Sequence, residues 1–197
     1  MSRHLLPVLV LVAMLALGCA TTHAPSSPVA LAAPVPEGPP QPPPGASRGL
    51  ADGMLPAGTT VYDDHPGVIR VDRRLLEQLR AATADASAQG VAIVVNSGWR
   101  SKTYQALLFE EAVAERGSEA AAAAWVARPG TSVHEAGAAV DLGPSSAVDW
   151  LAQRGADYGL CQVYDNEPWH FELDPDAVEY GCPPPYDDPS DDPRLQM

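Results

Sequence analysis

Proline sets the first limit on what this chain can fold into. Of its 21 prolines, nine fall in residues 20–48 and six more in residues 174–197. Proline has no backbone N–H to offer and a fixed φ, so neither stretch can form a long helix or a central strand. Residues 20–48 also carry hardly any bulky side chain. They cannot bury enough apolar surface to offset the entropy of ordering, and an extended tether is expected there. Residues 174–197 hold seven acids against the single Arg194, and this extension is expected to be mostly irregular. Residues 49–173 remain for one folded domain, and a chain that is 46% apolar can supply it with a sizeable core.

Residues 1–19 read as an export signal. Arg3 and His4 precede an almost purely apolar run over residues 5–17, too short to cross a bilayer comfortably as a helix. The run ends in Leu15-Ala16-Leu17-Gly18-Cys19, which resembles the cleavage box of bacterial lipoproteins, with Ala16 where Leu is commoner. That resemblance implies a lipid on Cys19 and attachment to a membrane. Ala20, rather than an Asp, follows it, which implies the outer membrane if the host has two. The other reading is an ordinary signal peptide with an incidental cysteine. If Cys19 is lipidated, Cys161 and Cys182 remain as an even pair in an exported protein. They can join as a disulfide or stay as two buried thiols.

A net charge of −13 leaves no basic face for phosphate contacts, so nucleic acid is not an expected partner. No internal repeat and no phosphate-cradling glycine loop is present. Residues 61–62 and 68–71 have strand-like composition around a turn-forming stretch. His65 beside Asp63 and Asp64 reads as a solvated turn, since no further ligand pattern accompanies it. Asp72 can cap a helix to about Gln89, with Leu75, Leu76, Leu79, Ala82 and Ala86 on one face. The apolar run over residues 91–95 suits a central strand buried on both faces. Helices are expected over residues 102–116 and, capped by Ser118, over 119–127. A short buried strand should end at Asp141. Ser146 with Asp149 resembles a capping box that opens a helix to about Tyr158, and residues 160–164 and 169–173 read as strands.

Two clusters carry the chemistry. The first is Ser132-Val133-His134-Glu135-Ala136-Gly137-Ala138-Ala139-Val140-Asp141, and the second is Glu167-Pro168-Trp169-His170. A catalytic zinc takes three nitrogen or oxygen ligands and keeps one position for water, which a nearby carboxylate can deprotonate. His134, Asp141 and His170 suit the ligand roles, and Glu167 suits the base. Gly137, Ala138 and Ala139 would let backbone pass close beside the metal. Glu167 and His170, three apart, cannot share a face of a regular strand, so Pro168 should mark a bend that brings them together. On composition alone, the same residues could be ordinary surface or core positions.

The pattern Ser-x-His-x-x-Gly-x-Ala-x-Asp, followed by Glu-x-Trp-His, closely resembles the zinc D-alanyl-D-alanine carboxypeptidases of the VanY type. The resemblance runs from about Val68 to Leu173. These enzymes share a fold with the D-Ala-D-Ala dipeptidases and the hedgehog signalling domain. It implies an α+β fold, a small, mostly antiparallel sheet with helices packed mainly on one side. Ser97-Gly98-Trp99-Arg100-Ser101 is similar to the family's Ser-Gly-Tyr-Arg-Ser, whose Arg faces the substrate. Arg100 is thereby implied in catalysis, and Gln105 and Ser132 in substrate binding, although Ser132 could equally cap its own loop. The implied function is removal of a carboxyl-terminal D-alanine from peptidoglycan stem peptides by a monomer. Two alternatives stay open: cleavage of an L,D bond in the same peptides, or a non-catalytic lipoprotein that holds zinc and binds wall peptide. Glu167 separates the last from an enzyme, since a binder has no need of a base.

Overall fold

The computed structural model describes residues 49–196. The export signal, Cys19 and the tether lie outside the described residues.

Four strands form one antiparallel sheet: β1 Val94–Ser97, β2 Ala139–Gly143, β3 Leu160–Gln162 and β4 His170–Leu173, in the spatial order β1-β2-β4-β3. The helices are α1 Pro66–Ile69, α2 Arg73–Ala88, α3 Lys102–Arg116, α4 Glu119–Ala123, α5 Ser145–Arg154 and α6 Ala177–Tyr180. The α+β architecture expected from the sequence is the one observed.

Helix α2 shows why the core sits on one side of the sheet. Asp72 caps it, its carboxylate accepting from the N–H groups of Arg74 and Leu75 at 2.8 and 3.1 Å. A cap of this kind contributes about 1 kcal/mol, whereas each leucine buried from its inner face contributes roughly 1.5–3 kcal/mol. Packing of Leu75, Leu76 and Leu79 therefore holds the helix, and the cap sets where it starts. Their partners include Val140 and Leu142 of β2, Phe171 of β4, and Trp150 and Leu151 of α5. Successive side chains on a strand point to opposite faces. With Val140, Leu142 and Phe171 committed to this core, Asp141, His170 and Glu172 are turned to the other face.

Several local expectations are corrected. Residues 66–69 are a helical turn, with Pro66 at its first position, where the missing N–H costs nothing. Residues 61–62 lie in a turn. The strand expected at 91–95 begins at Val94 and lies at the sheet edge rather than its centre. That edge is covered by a loop, since the Val95 N–H donates to the Thr59 carbonyl at 2.8 Å. Ser146 and Asp149 form no capping box, and α5 starts after Pro144 with no side-chain cap. Helix α4 ends at Ala123, short of 127.

The acidic extension is short of regular structure, as its prolines require, but it is folded onto the domain. Cys161 and Cys182 are joined as a disulfide. Beyond it the Tyr186 N–H donates to the Val163 carbonyl and the Asp165 N–H to the Tyr186 carbonyl, each at 2.9 Å. Pro189, Asp192 and Leu195 are buried.

Candidate metal centre

Backbone pairing places two of the three expected ligands side by side. Asp141 of β2 and His170 of β4 are direct cross-strand partners. His134 comes from a 3-10 turn, Val133–Ala136, which Gly137 closes with φ 70°. Gly137 is required there by close approach, but not to the metal cluster. A Cβ on it would sit 2.3 Å from the Arg70 carbonyl oxygen, and its own carbonyl accepts from the Asp72 N–H at 2.8 Å. The turn is tied to the loop after β1, where the Arg100 N–H donates to the His134 carbonyl and the Trp99 indole to the Glu135 carbonyl, each at 3.1 Å.

The donor atoms His134 Nε2, His170 Nδ1 and Asp141 Oδ1 form a near-equilateral triangle, with sides of 3.3, 3.2 and 3.4 Å. Tetrahedral zinc with bonds near 2.0 Å has ligand-to-ligand separations of about 3.3 Å. The donor set therefore fits zinc in size and in chemistry. Both imidazoles also have a partner on the nitrogen away from the cluster. His134 Nδ1 lies 2.8 Å from the Gly98 carbonyl and His170 Nε2 lies 3.3 Å from Glu172 Oε1. An acceptor at each distant nitrogen selects the tautomer whose lone pair points into the triangle.

Charge in the cluster follows from its burial. Burial raises the Asp141 carboxyl, but the charges of His134 and Arg100 outweigh that and hold it well below its ordinary range. Burial lowers the His134 imidazole, and Arg100 lowers it further. Burial acts downward on His170 too, yet hydrogen bonds with Asp141 and Glu172 take it up to about 9.

Glu167 stands just outside the triangle. Its Oε2 is 3.9 Å from His170 Nδ1, while its Oε1 is buried with no hydrogen-bond partner. The bend at Pro168 is a turn, closed by the His170 N–H donating to the Glu167 carbonyl at 2.9 Å. Burial pushes this carboxyl up to about 7, against a partly compensating pull from His170. A carboxyl poised near neutrality with a free oxygen can both take and return a proton.

The other expected site residues fall differently. Arg100 lines the cleft over the cluster, together with Ser132. Its guanidinium donates to Asp141 Oδ2, to Ser97 Oγ at 2.7 Å and to Gln105 Oε1 at 3.3 Å. Gln105 is wholly buried, and its amide nitrogen donates to the Ala127 carbonyl at 2.8 Å. It contacts Arg100 and is not part of the cleft wall. The Ser132 hydroxyl makes no capping bond in its turn. Sequence reasoning missed Trp125, Pro189 and Leu195, which complete the cleft wall, and Tyr164, whose ring packs on His170 with centroids 4.9 Å apart. It also missed Glu172, which the strand alternation from His170 could have revealed.

His134, Asp141 and His170 are a compact buried donor set that could hold one metal ion, with the Glu167 carboxylate just outside it. Residues 68–176, more than half of the chain, match the VanY D-alanyl-D-alanine carboxypeptidase family model, and the chain belongs to that family. It is 32% identical over 127 residues to a D-alanyl-D-alanine carboxypeptidase of Enterococcus faecalis, covering 52% of this chain and 47% of that one. The chain thus spans about half the length of that relative. Among solved structures, VanYB in complex with D-alanine-D-alanine is 29% identical with a TM-score of 0.52, covering 56% of this chain and 74% of that one. The LD-carboxypeptidase LdcB, 23% identical with a TM-score of 0.50, covers 62% of this chain and 68% of that one, and shares the fold.

Proposed function

We propose that this chain is a zinc-dependent carboxypeptidase that removes the terminal D-alanine from peptidoglycan stem peptides. The observation that carries this reading is the position of Glu167. It is beside the triangle of donors, buried and with one oxygen unclaimed. A site built only to hold a metal has no use for such a group. The VanYB complex with D-alanine-D-alanine supports the choice of peptide end.

When bound by His134, Asp141 and His170, zinc supplies Lewis acidity, which polarises the scissile carbonyl and acidifies water. Glu167 accepts the proton of the attacking water and returns it to the amine nitrogen as the peptide C–N bond breaks. Arg100 spends three of its five N–H donors on Asp141, Ser97 and Gln105. Arg100 lines the cleft, and its two remaining donors are available to bind the substrate carboxylate or the developing oxyanion. Gln105 serves this reading by orienting Arg100, and the Ser132 hydroxyl is free to donate to substrate. The domain acts at the cell envelope, held to a membrane through Cys19.

Zinc content and turnover, measured together, test the division of roles. Glu167→Gln should keep one zinc per chain and lose turnover by about a hundred- to ten-thousand-fold. His134→Ala should lose the zinc. Equal zinc in His134→Ala and the parent, or near-normal hydrolysis by zinc-loaded Glu167→Gln, contradicts the assignment.

A further inference from the structure

The acidic extension ends in a group of side chains that reaches the metal cluster from behind. The Arg194 guanidinium grips Glu172 with two donors, Nη1 to Oε2 at 2.7 Å and Nη2 to Oε1 at 3.1 Å. Glu172 in turn stands 3.3 Å from His170 Nε2. The Nε of Arg194 donates to both oxygens of Asp192, at 2.9 and 3.0 Å. Asp192 is fully buried, and it also accepts from the Tyr164 hydroxyl at 2.9 Å. Tyr164 packs its ring on the His170 imidazole. The chain of contacts therefore closes on itself: His170, Glu172, Arg194, Asp192, Tyr164 and back to His170.

We infer that Arg194 is a positioning residue for the metal centre, acting through Glu172 to fix the orientation and tautomer of His170. This rests on the reading of His134, Asp141 and His170 as metal ligands. For His170 Nδ1 to direct a lone pair at the metal, Nε2 must carry the proton, and a buried acceptor must hold that N–H in place. Glu172 is that acceptor. A lone carboxylate at a buried position beside a sheet would be costly to desolvate and free to change rotamer. Two parallel N–H···O bonds from one planar guanidinium remove both freedoms, which an ammonium on a flexible stem cannot do. Arg194 is in turn held by Asp192, so the terminal strap is a structural part of the centre. The family match ends at residue 176, so this support comes from a segment outside the matched domain.

Competition for zinc between the purified chain and a chromogenic chelator tests the inference without reference to turnover. Second-sphere partners of a metal-bound histidine typically change affinity by about 10–100-fold. Arg194→Ala should weaken zinc binding by about tenfold or more, Glu172→Ala by a similar factor, and the double variant no more than Glu172→Ala alone. Arg194→Lys should fall between, because one ammonium can neutralise Glu172 but cannot clamp it. An Arg194→Ala protein that melts at a lower temperature when metal-free yet binds zinc as the parent does would reduce Arg194 to a structural brace and overturn the inference. Multiplicative losses in the double variant would overturn it too. Should Arg194→Ala fail to fold, Arg194→Lys decides: parental affinity overturns the inference, and a loss sustains it. A parent chain that takes up no zinc is a different failure, since it removes the metal centre itself.

Discussion

Replacing Glu167 with glutamine should cut turnover by about a hundred- to ten-thousand-fold and, in the metal-free protein, raise stability at alkaline pH. Burial takes this carboxyl from its ordinary 4.5 up to about 7. Between those two values the folded protein keeps a proton that the unfolded chain has released. Stability therefore falls as pH rises through that window. One pKa unit corresponds to 1.36 kcal/mol, so the deficit is below about 1 kcal/mol at pH 5 and reaches about 3 kcal/mol at pH 8. Glutamine has nearly the same shape, stays neutral throughout and carries none of this dependence. Urea unfolding of the parent and of Glu167→Gln, both with excess chelator, measures the difference directly. The stability gap in favour of the variant should widen by about 2–3 kcal/mol between pH 5 and pH 8. A gap that does not widen refutes the reading that burial has raised this carboxyl.

Other consequences can be checked separately. Arg100→Ala should lower kcat/KM by about a hundred- to a thousandfold, as loss of an oxyanion donor does. It should also weaken zinc retention, because Asp141 Oδ2 loses its guanidinium partner; unchanged metal content would place Arg100 with the substrate alone. Replacing Cys161 and Cys182 by serine opens a loop with a sequence separation of 21. It should cost about 3 kcal/mol in the chain-entropy model, seen as a lower urea midpoint, and no change in midpoint would refute it. Cys19→Ser expressed in a bacterial host should leave the membrane fraction, and its persistence there would sink the lipid-anchor proposal.

How much of this was legible in the sequence follows the range of the interactions. Helix α2 was, because the Asp72 cap and the leucine spacing lie within single turns of one element. The grouping of His134, Asp141 and His170 was, because the two clusters concentrate the few residue types that suit a metal. The turn at Pro168 followed from an odd spacing that no straight strand could satisfy. The helical turn at residues 66–69 was not legible, since Val68 and Ile69 favour strands in isolation and only packing decides. Gly67 shows that pressure: a Cβ there would meet the Gly53 carbonyl oxygen at 2.6 Å. The edge position of β1 was not legible either, since the loop through Thr59 that covers it lies far from it in the chain and leaves no periodic trace. Arg100 could be picked out as a cleft residue, but its pairing with Asp141 spans 41 positions. Arg194 is the clearest case. As the sole cation of an acidic, proline-rich extension it was conspicuous by composition, yet nothing local ties it to Glu172, which lies 22 residues earlier.

The reaction proposed for this site is hydrolysis of the last D-alanyl bond of a wall peptide. Mass analysis of defined muropeptides after incubation with the zinc-loaded protein tests it, with the zinc-loaded Glu167→Gln variant as the control. Pentapeptide should lose a single terminal alanine, tetrapeptide ending in D-alanine should be left intact, and the variant should release alanine at least about a hundredfold more slowly. Trimming of the tetrapeptide with the pentapeptide untouched, or no release from either substrate by zinc-loaded protein, would contradict it.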